Sequence, residues 1–218
     1  MPYDHLTGKV AIVTGGASGI GKATSILLAE HGARVAVLDR DVENATTVAK
    51  HIESAGAEAL AVEVDLARTA SIPGAVEAVR SWGGRIDILV NSAGVTGGQA
   101  SVLEVDEATW DLVQAVNVKA LLVLTQLVAR QMVAQGEGGR IVNLSSSAAF
   151  RGTQAPVHYA SSKAAVSAIT RVAAGELGVH DINVNAVAPG VTKTPMTKGL
   201  GNDEAYVRVV SEGPLANF

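Results

Sequence analysis

Two kinds of apolar pattern alternate along the chain. Short continuous runs rich in Val, Ile and Ala recur at 9–15 (KVAIVTG), 33–39, 58–65, 86–94, 140–147 and 182–190. Apolar character that is continuous, not alternating, suits strands covered on both faces. Longer stretches with helical spacing lie between them, at 20–32, 41–56, 69–84, about 107–135 and 157–178. Several carry end signals: Gly32 and Gly56 close the first two, Asp41 opens the second, and Pro73 sits near the start of the third. Strand and helix in regular alternation predict right-handed βαβ units and a parallel sheet. The expected fold class is α/β: a doubly wound parallel sheet in three layers, with six strands and a bare last edge. No linker, repeat or low-complexity segment interrupts the pattern, so one domain is expected over 1–218.

Composition narrows the function. Hydrophobic residues make up 48% and charged residues 17% of the chain, which suits a packed domain and not a disordered one. The net charge is −4 and no basic run occurs, so nucleic acid is not expected as a partner. With no cysteine there is no disulfide, thiolate zinc site or Cys nucleophile. The five histidines show no paired ligand spacing, so no metal site is expected. The opening MPYDHLTGKV lacks a charged segment followed by an apolar one, and the most apolar window, ALLVLTQLV, is short for a bilayer. A cytoplasmic protein without a membrane partner is expected.

The first strand runs into TGGASGIG, residues 14–21. Glycine permits positive φ and close backbone approach, and the following helix presents free N–H groups to a pyrophosphate. Two phosphate-binding templates compete. Residues 16–22 match G-x-x-x-x-G-K, but Ala23 stands where a nucleoside-triphosphate loop needs Ser or Thr for Mg²⁺. The dinucleotide template needs an acidic residue at the end of the second strand to hold a ribose hydroxyl, and Asp39 is there. Its carboxylate would repel a 2′-phosphate, which favours NAD over NADP; Arg40 beside it argues the other way. Ser18, inside the turn, is neutral.

A second constellation is HYASSKAAVSAI, residues 158–169. Tyr159 and Lys163 stand at i and i+4, on one helical face about a turn apart. With TGGASGIG, NSAG at 91–94, YASSK at 159–163 and PGVTKTPM at 189–196 in this order, the chain resembles the short-chain dehydrogenase/reductase family from about residue 6 to 213. The resemblance implies a Rossmann-type catalytic domain. It assigns cofactor binding to Gly15, Ser18, Gly19, Ile20 and Gly21 of the turn, to Asp39, and to Asp65–Leu66 at the adenine. It adds Asn91, Ala93 and Gly94, then Tyr159 and Lys163, and finally Pro189, Gly190, Thr192 and Thr194. Ser92 departs from the family's second Asn. The implied catalytic set is Asn117, Ser146, Tyr159 and Lys163, with Ser146 picked from three consecutive serines by its 13-residue spacing to Tyr159. The family's pattern goes on to a further helix and a seventh strand, so the domain is expected to be incomplete at its C-terminal end.

The implied activity is hydride transfer between NAD and a secondary alcohol or ketone. A free phenol has a pKa near 10, so a basic Tyr159 needs help. Lys163 and an oxidised nicotinamide, both cationic, are expected to lower that pKa. By the resemblance, Ser146 would hold the substrate oxygen, Lys163 the nicotinamide ribose, and Asn117 a water linking Lys163 to solvent. Candidate pocket walls are Gln99, Ser147, Phe150, Gln154, His158, Val191 and Met196; His158 fits a surface helix start equally well. Ser145 and Ser147 are expected to have no catalytic role. The Ala- and Ser-rich helices at 107–135 and 157–178 are expected to pack against a second subunit, in a homodimer or homotetramer. A non-catalytic NAD(H)-binding protein of the same fold is the alternative.

Overall fold

A computed structural model describes residues 6–151 and 155–200; Gln154, one of the expected pocket walls, lies outside them. The first apolar run forms β1 (Val10–Thr14), every residue of which is buried, followed by α1 (Gly19–Glu30). Next come β2 (Arg34–Asp39), α2 (Val42–Ser54), β3 (Ala59–Glu63), α3 (Ile72–Gly83) and β4 (Ile88–Asn91). The chain then builds α4 (Glu107–Gln114), α5 (Leu121–Gln135), β5 (Gly139–Leu144), α6 (Val157–Leu177) and β6 (Ile182–Val187). All pairings are parallel, in the order β3-β2-β1-β4-β5-β6. Among the described residues the expected α/β fold with six strands forms.

Strand side chains divide between two cores. Val10, Ile12, Leu89 and Ile141 pack with α3, α5 and α6 on one face. Ala11, Val13, Val35 and Val37 pack with α1 and α2 on the other. Parallel strands need this double cover. The strand order reverses between β1 and β4, so the loops leaving these two strands part and open a crevice at their carboxyl ends. Thr14 stitches its floor: its Oγ accepts a hydrogen bond from Ala93 N at 3.2 Å.

A buried polar ladder ties the sheet to the helices above it. Asn91 Nδ2 donates to Asn143 Oδ1 at 2.9 Å, and Asn143 Nδ2 donates to Thr170 Oγ1 of α6 at 2.9 Å. Asn91 and Asn143 are register partners on β4 and β5, which brings their side chains to one face.

Three elements depart from the sequence reading. The run at 107–135 is helical throughout, but Ala115–Ala120 is wound as a π-helix containing Asn117. Such wide turns absorb an extra residue and often lie at functional positions. The strand expected at 86–94 ends at Asn91, and the chain turns away through Gly94, Gly97 and Gly98, the last two at positive φ. The third helix begins at Ile72, with Pro73 in its first turn, where a missing N–H costs nothing.

By length and composition the 29-residue helix Glu107–Gln135 could cross a membrane, which corrects the reading from ALLVLTQLV. Its Leu124, Val128 and Met132 are instead buried in the core.

At the far end of the sheet the Asp87 carboxylate accepts from Val10 N at 2.9 Å, from Lys9 Nζ at 3.3 Å and from the Arg85 guanidinium. Burial pushes its pKa up, but the bonds from Arg85, Val10 and Lys9 outweigh it and hold it below the usual value. A lowered carboxyl pKa stabilises the fold above the unfolded value, and that contribution is lost as pH falls through the folded one. Asp87→Ala should therefore cost roughly 2–3 kcal/mol in urea unfolding at pH 7. The gap to the parent chain should close below about pH 4.

Candidate functional site

The crevice begins at the glycine turn. Gly15 and Gly19 adopt φ of +64° and +52°. A Cβ on Gly15 would lie 2.8 Å from Ala93 Cα, and one on Gly19 3.2 Å from Thr194 Cγ2. A Cβ on Gly21 would collide with the Gly15 carbonyl oxygen. The turn therefore brings its backbone against two facing loops with no side chain of its own in between. Ser18, the N-cap of α1, makes no side-chain capping bond, and no acidic residue occupies the first turn. In contrast, Asp41 and Asp106 cap α2 and α4. The positive end of α1 stays free for an external anion. This chemistry fits the diphosphate of a dinucleotide.

Gly15, Ala93 and Gly94 divide two adjoining hollows. One is lined by Asp39, Asp65 and Leu66 together with Arg40, Val95, Leu112 and Val116. Main chain holds the Asp39 carboxylate in place: Oδ2 accepts from Ala17 N and Oδ1 from Asp41 N, each at 3.1 Å. An acidic group thus stands against the glycine turn, at the edge of a slot with largely apolar walls. The other hollow is lined by Ser18, Gly19, Ile20, Gly21, Pro189, Gly190, Thr192 and Thr194 together with Ser146, Tyr159 and Lys163.

The second group comes from the end of β5 and the start of α6. Lys163 is buried, donates from Nζ to Leu144 O at 2.7 Å, and stands 5.8 Å from the Tyr159 ring centroid. Burial lowers its pKa to about 8. The phenol moves the opposite way: burial raises its pKa, and hydrogen bonding to Ser146 offsets only part of that. Lys163 is not among the causes of this shift, and the lowering expected of Lys163 together with an oxidised nicotinamide belongs to the cofactor-bound state. The ammonium points at a carbonyl and over the ring, so the protein's own groups favour the neutral phenol.

Asn117 is fully engaged. Its Oδ1 accepts from Val95 N at 2.8 Å, and its Nδ2 donates to Val95 O and to Ser162 Oγ, both at 3.0 Å. It clamps the loop after β4 onto α6. A Cβ on Gly94 would lie 3.3 Å from Asn117 Oδ1 and 3.4 Å from Lys163 Nζ, so that loop runs between the two side chains.

A short-chain dehydrogenase family model matches residues 9–205. The chain is 40% identical over 214 residues to the 3-oxoacyl-[acyl-carrier-protein] reductase FabG of Thermotoga maritima, covering 98% of this chain and 86% of that one. It belongs to the short-chain dehydrogenase family. A solved short-chain type dehydrogenase/reductase of Mycobacterium marinum superposes with a TM-score of 0.87 at 34% identity, covering 91% of this chain and 78% of that one. An NAD⁺-bound xylitol dehydrogenase superposes with a TM-score of 0.82 at 36% identity, covering 85% and 71%. Members of this family are oxidoreductases that use nicotinamide cofactors.

Within this short-chain dehydrogenase the crevice gathers most of the expected site residues. Two do not line it: Asn91 is buried in the polar ladder, and Asn117 stands behind the loop it clamps. Among the expected pocket walls, Met196 lines the hollow. Phe150 is 71% exposed. His158 is neither surface nor wall: it is fully buried, its ring lies against Gly97, and neither ring nitrogen has a hydrogen-bond partner among the described residues. Sequence reasoning missed Leu112 and Val116 of the Asp39 slot, whose i, i+4 spacing was the available signal. It also dismissed Ser145, which is buried and bonded to α6.

Gly21→Ala should weaken NADH binding by at least about tenfold in a fluorescence titration, because the methyl pushes the Gly15 carbonyl into the crevice. The thermal midpoint should fall far less than binding does.

Proposed function

We propose that this chain is an NAD-dependent oxidoreductase that transfers a hydride between nicotinamide and a secondary alcohol or ketone, with Tyr159 as general acid and base. The observation that carries this reading is the convergence of Ser146, Tyr159 and Lys163 on the hollow that also receives the glycine turn. Bound nicotinamide supplies the hydride acceptor or donor and, when oxidised, a positive charge. In alcohol oxidation Tyr159 takes the hydroxyl proton as the substrate's C–H electron pair leaves. In ketone reduction it returns a proton to the developing alkoxide. Ser146 donates a hydrogen bond to the same oxygen. Lys163 holds the ribose and contributes positive charge near the phenol.

Asp39 supports NAD as the partner, because its fixed carboxylate suits ribose hydroxyls and repels a 2′-phosphate. No carboxylate lines the Tyr159 hollow among the described residues, and Ile20, Pro189, Pro195 and Met196 give it apolar walls. These features support a neutral substrate of small or medium size. Exposed Leu122 and Val133 on α5 and Val172 on α6 support the proposal of a homodimer or homotetramer. The described residues are read as one catalytic domain.

Tyr159→Phe should cut turnover with a panel of ketones by about a thousandfold. NADH affinity should stay within a factor of about three. Near-normal kcat in that variant would overturn the assignment. Because burial holds the phenol's pKa above its usual value, reduction should stay level through neutrality and decline only in strongly alkaline solution, while oxidation should keep climbing with pH over the whole range. Asp39→Ala should lower the NAD-to-NADP preference in kcat/KM by roughly tenfold. An unchanged ratio would remove Asp39 from the ribose.

A further inference from the structure

Three consecutive residues at the end of β5 each grip α6. Leu144 offers its carbonyl to Lys163 Nζ at 2.7 Å. Ser145 is buried, donates from Oγ to the Lys163 carbonyl at 2.9 Å, and lies 2.8 Å from Ser167 Oγ. Ser167 Oγ also donates to Lys163 O, at 3.2 Å. Ser146 bonds to the Tyr159 side chain. A Lys carbonyl inside a helix already accepts its helical bond, so two further hydroxyls on it mark a deliberate anchor point.

We infer that Ser145 is a positioning residue, which fixes the distance between the strand end that carries Ser146 and the helical turn that carries Lys163. The inference rests on the proposed Ser146, Tyr159 and Lys163 chemistry. Ser145 sits between two residues that touch the working side chains, and its hydroxyl is the side-chain bond from this strand end to the α6 backbone there. Both groups it joins are rigid: β5 is held in the sheet by β4 and β6, and α6 is held on the sheet through Asn143 and Thr170. Without the hydroxyl, the Lys163 turn can shift along the strand end by a fraction of an ångström while both cores stay packed. A displacement of about 1 Å at a reacting group can cost a hundredfold in rate.

The test compares the parent chain with Ser145→Ala, and with Ser145→Cys, which keeps the shape but has a weak donor. The measurements are kcat, NADH affinity and thermal midpoint. The expected result is a fall in kcat of about tenfold or more in both variants, with NADH affinity and thermal midpoint close to those of the parent. Parent-like kcat in either variant overturns the inference, as does a loss that only tracks a lower midpoint or a failure of both to fold. Tyr159→Phe, assayed beside them, separates the two levels. A parent without turnover, or an active Tyr159→Phe, overturns the underlying chemistry. An active parent, an inactive Tyr159→Phe and an unimpaired Ser145→Ala overturn the role of Ser145 alone.

Discussion

A buried ammonium answered by a backbone carbonyl is the interaction on which the site turns. Lys163 projects from α6 into the gap above β5 and meets Leu144 O. A cation in that position is costly, which is why its pKa drops to about 8. A carboxylate would have relieved that cost and neutralised the charge that a nucleotide and a phenolate could use. A carbonyl fixes the direction of the ammonium while leaving its charge intact. The glycines around it, Gly94 above all, keep backbone and not side chains at its flank.

Much of the rest of the architecture holds that ammonium and the neighbouring phenol in register. α6 is fastened to the sheet through Asn143 and Thr170, and to the loop after β4 through Asn117 and Ser162. Gln114, at the end of α4, donates to the His158 carbonyl at 3.2 Å, in the first turn of α6. The loop carrying Gly94 and Gly97 is thus pinned from below by Asn117 and from the side by the His158 ring. Buried polar groups of this kind specify one arrangement, because each alternative leaves a donor or acceptor without a partner.

The fold was legible because its signals are local. Continuous apolar strands, helical spacing and glycine stops each concern residues close in the chain, and they gave the six strands and their intervening helices. The glycine turn, Asp39 and the Tyr159–Lys163 pair were legible for the same reason. What escaped depends on partners far apart in sequence. Asn117 meets Val95 across 22 residues, and Ser145 meets Lys163 across 18. The rise in the Tyr159 pKa was not legible, because spacing places an ammonium near a ring without saying how deeply the phenol is buried. His158 was misplaced because nothing in HYASSK tells which side of the helix start the Gly97 loop covers.

The π-helical segment Ala115–Ala120 carries a lesson about ancestry and repair. A wide turn rotates everything downstream of it by the angle of one additional residue. The face that α4 turns toward the Asp39 slot and the face that α5 buries in the core are therefore phased for a helix with that surplus residue. Removing a single amino acid there would shorten the chain trivially yet leave one half of the helix pointing the wrong way. A hybrid grafting the first half onto the second half of a straight-helixed cousin would inherit the same misalignment.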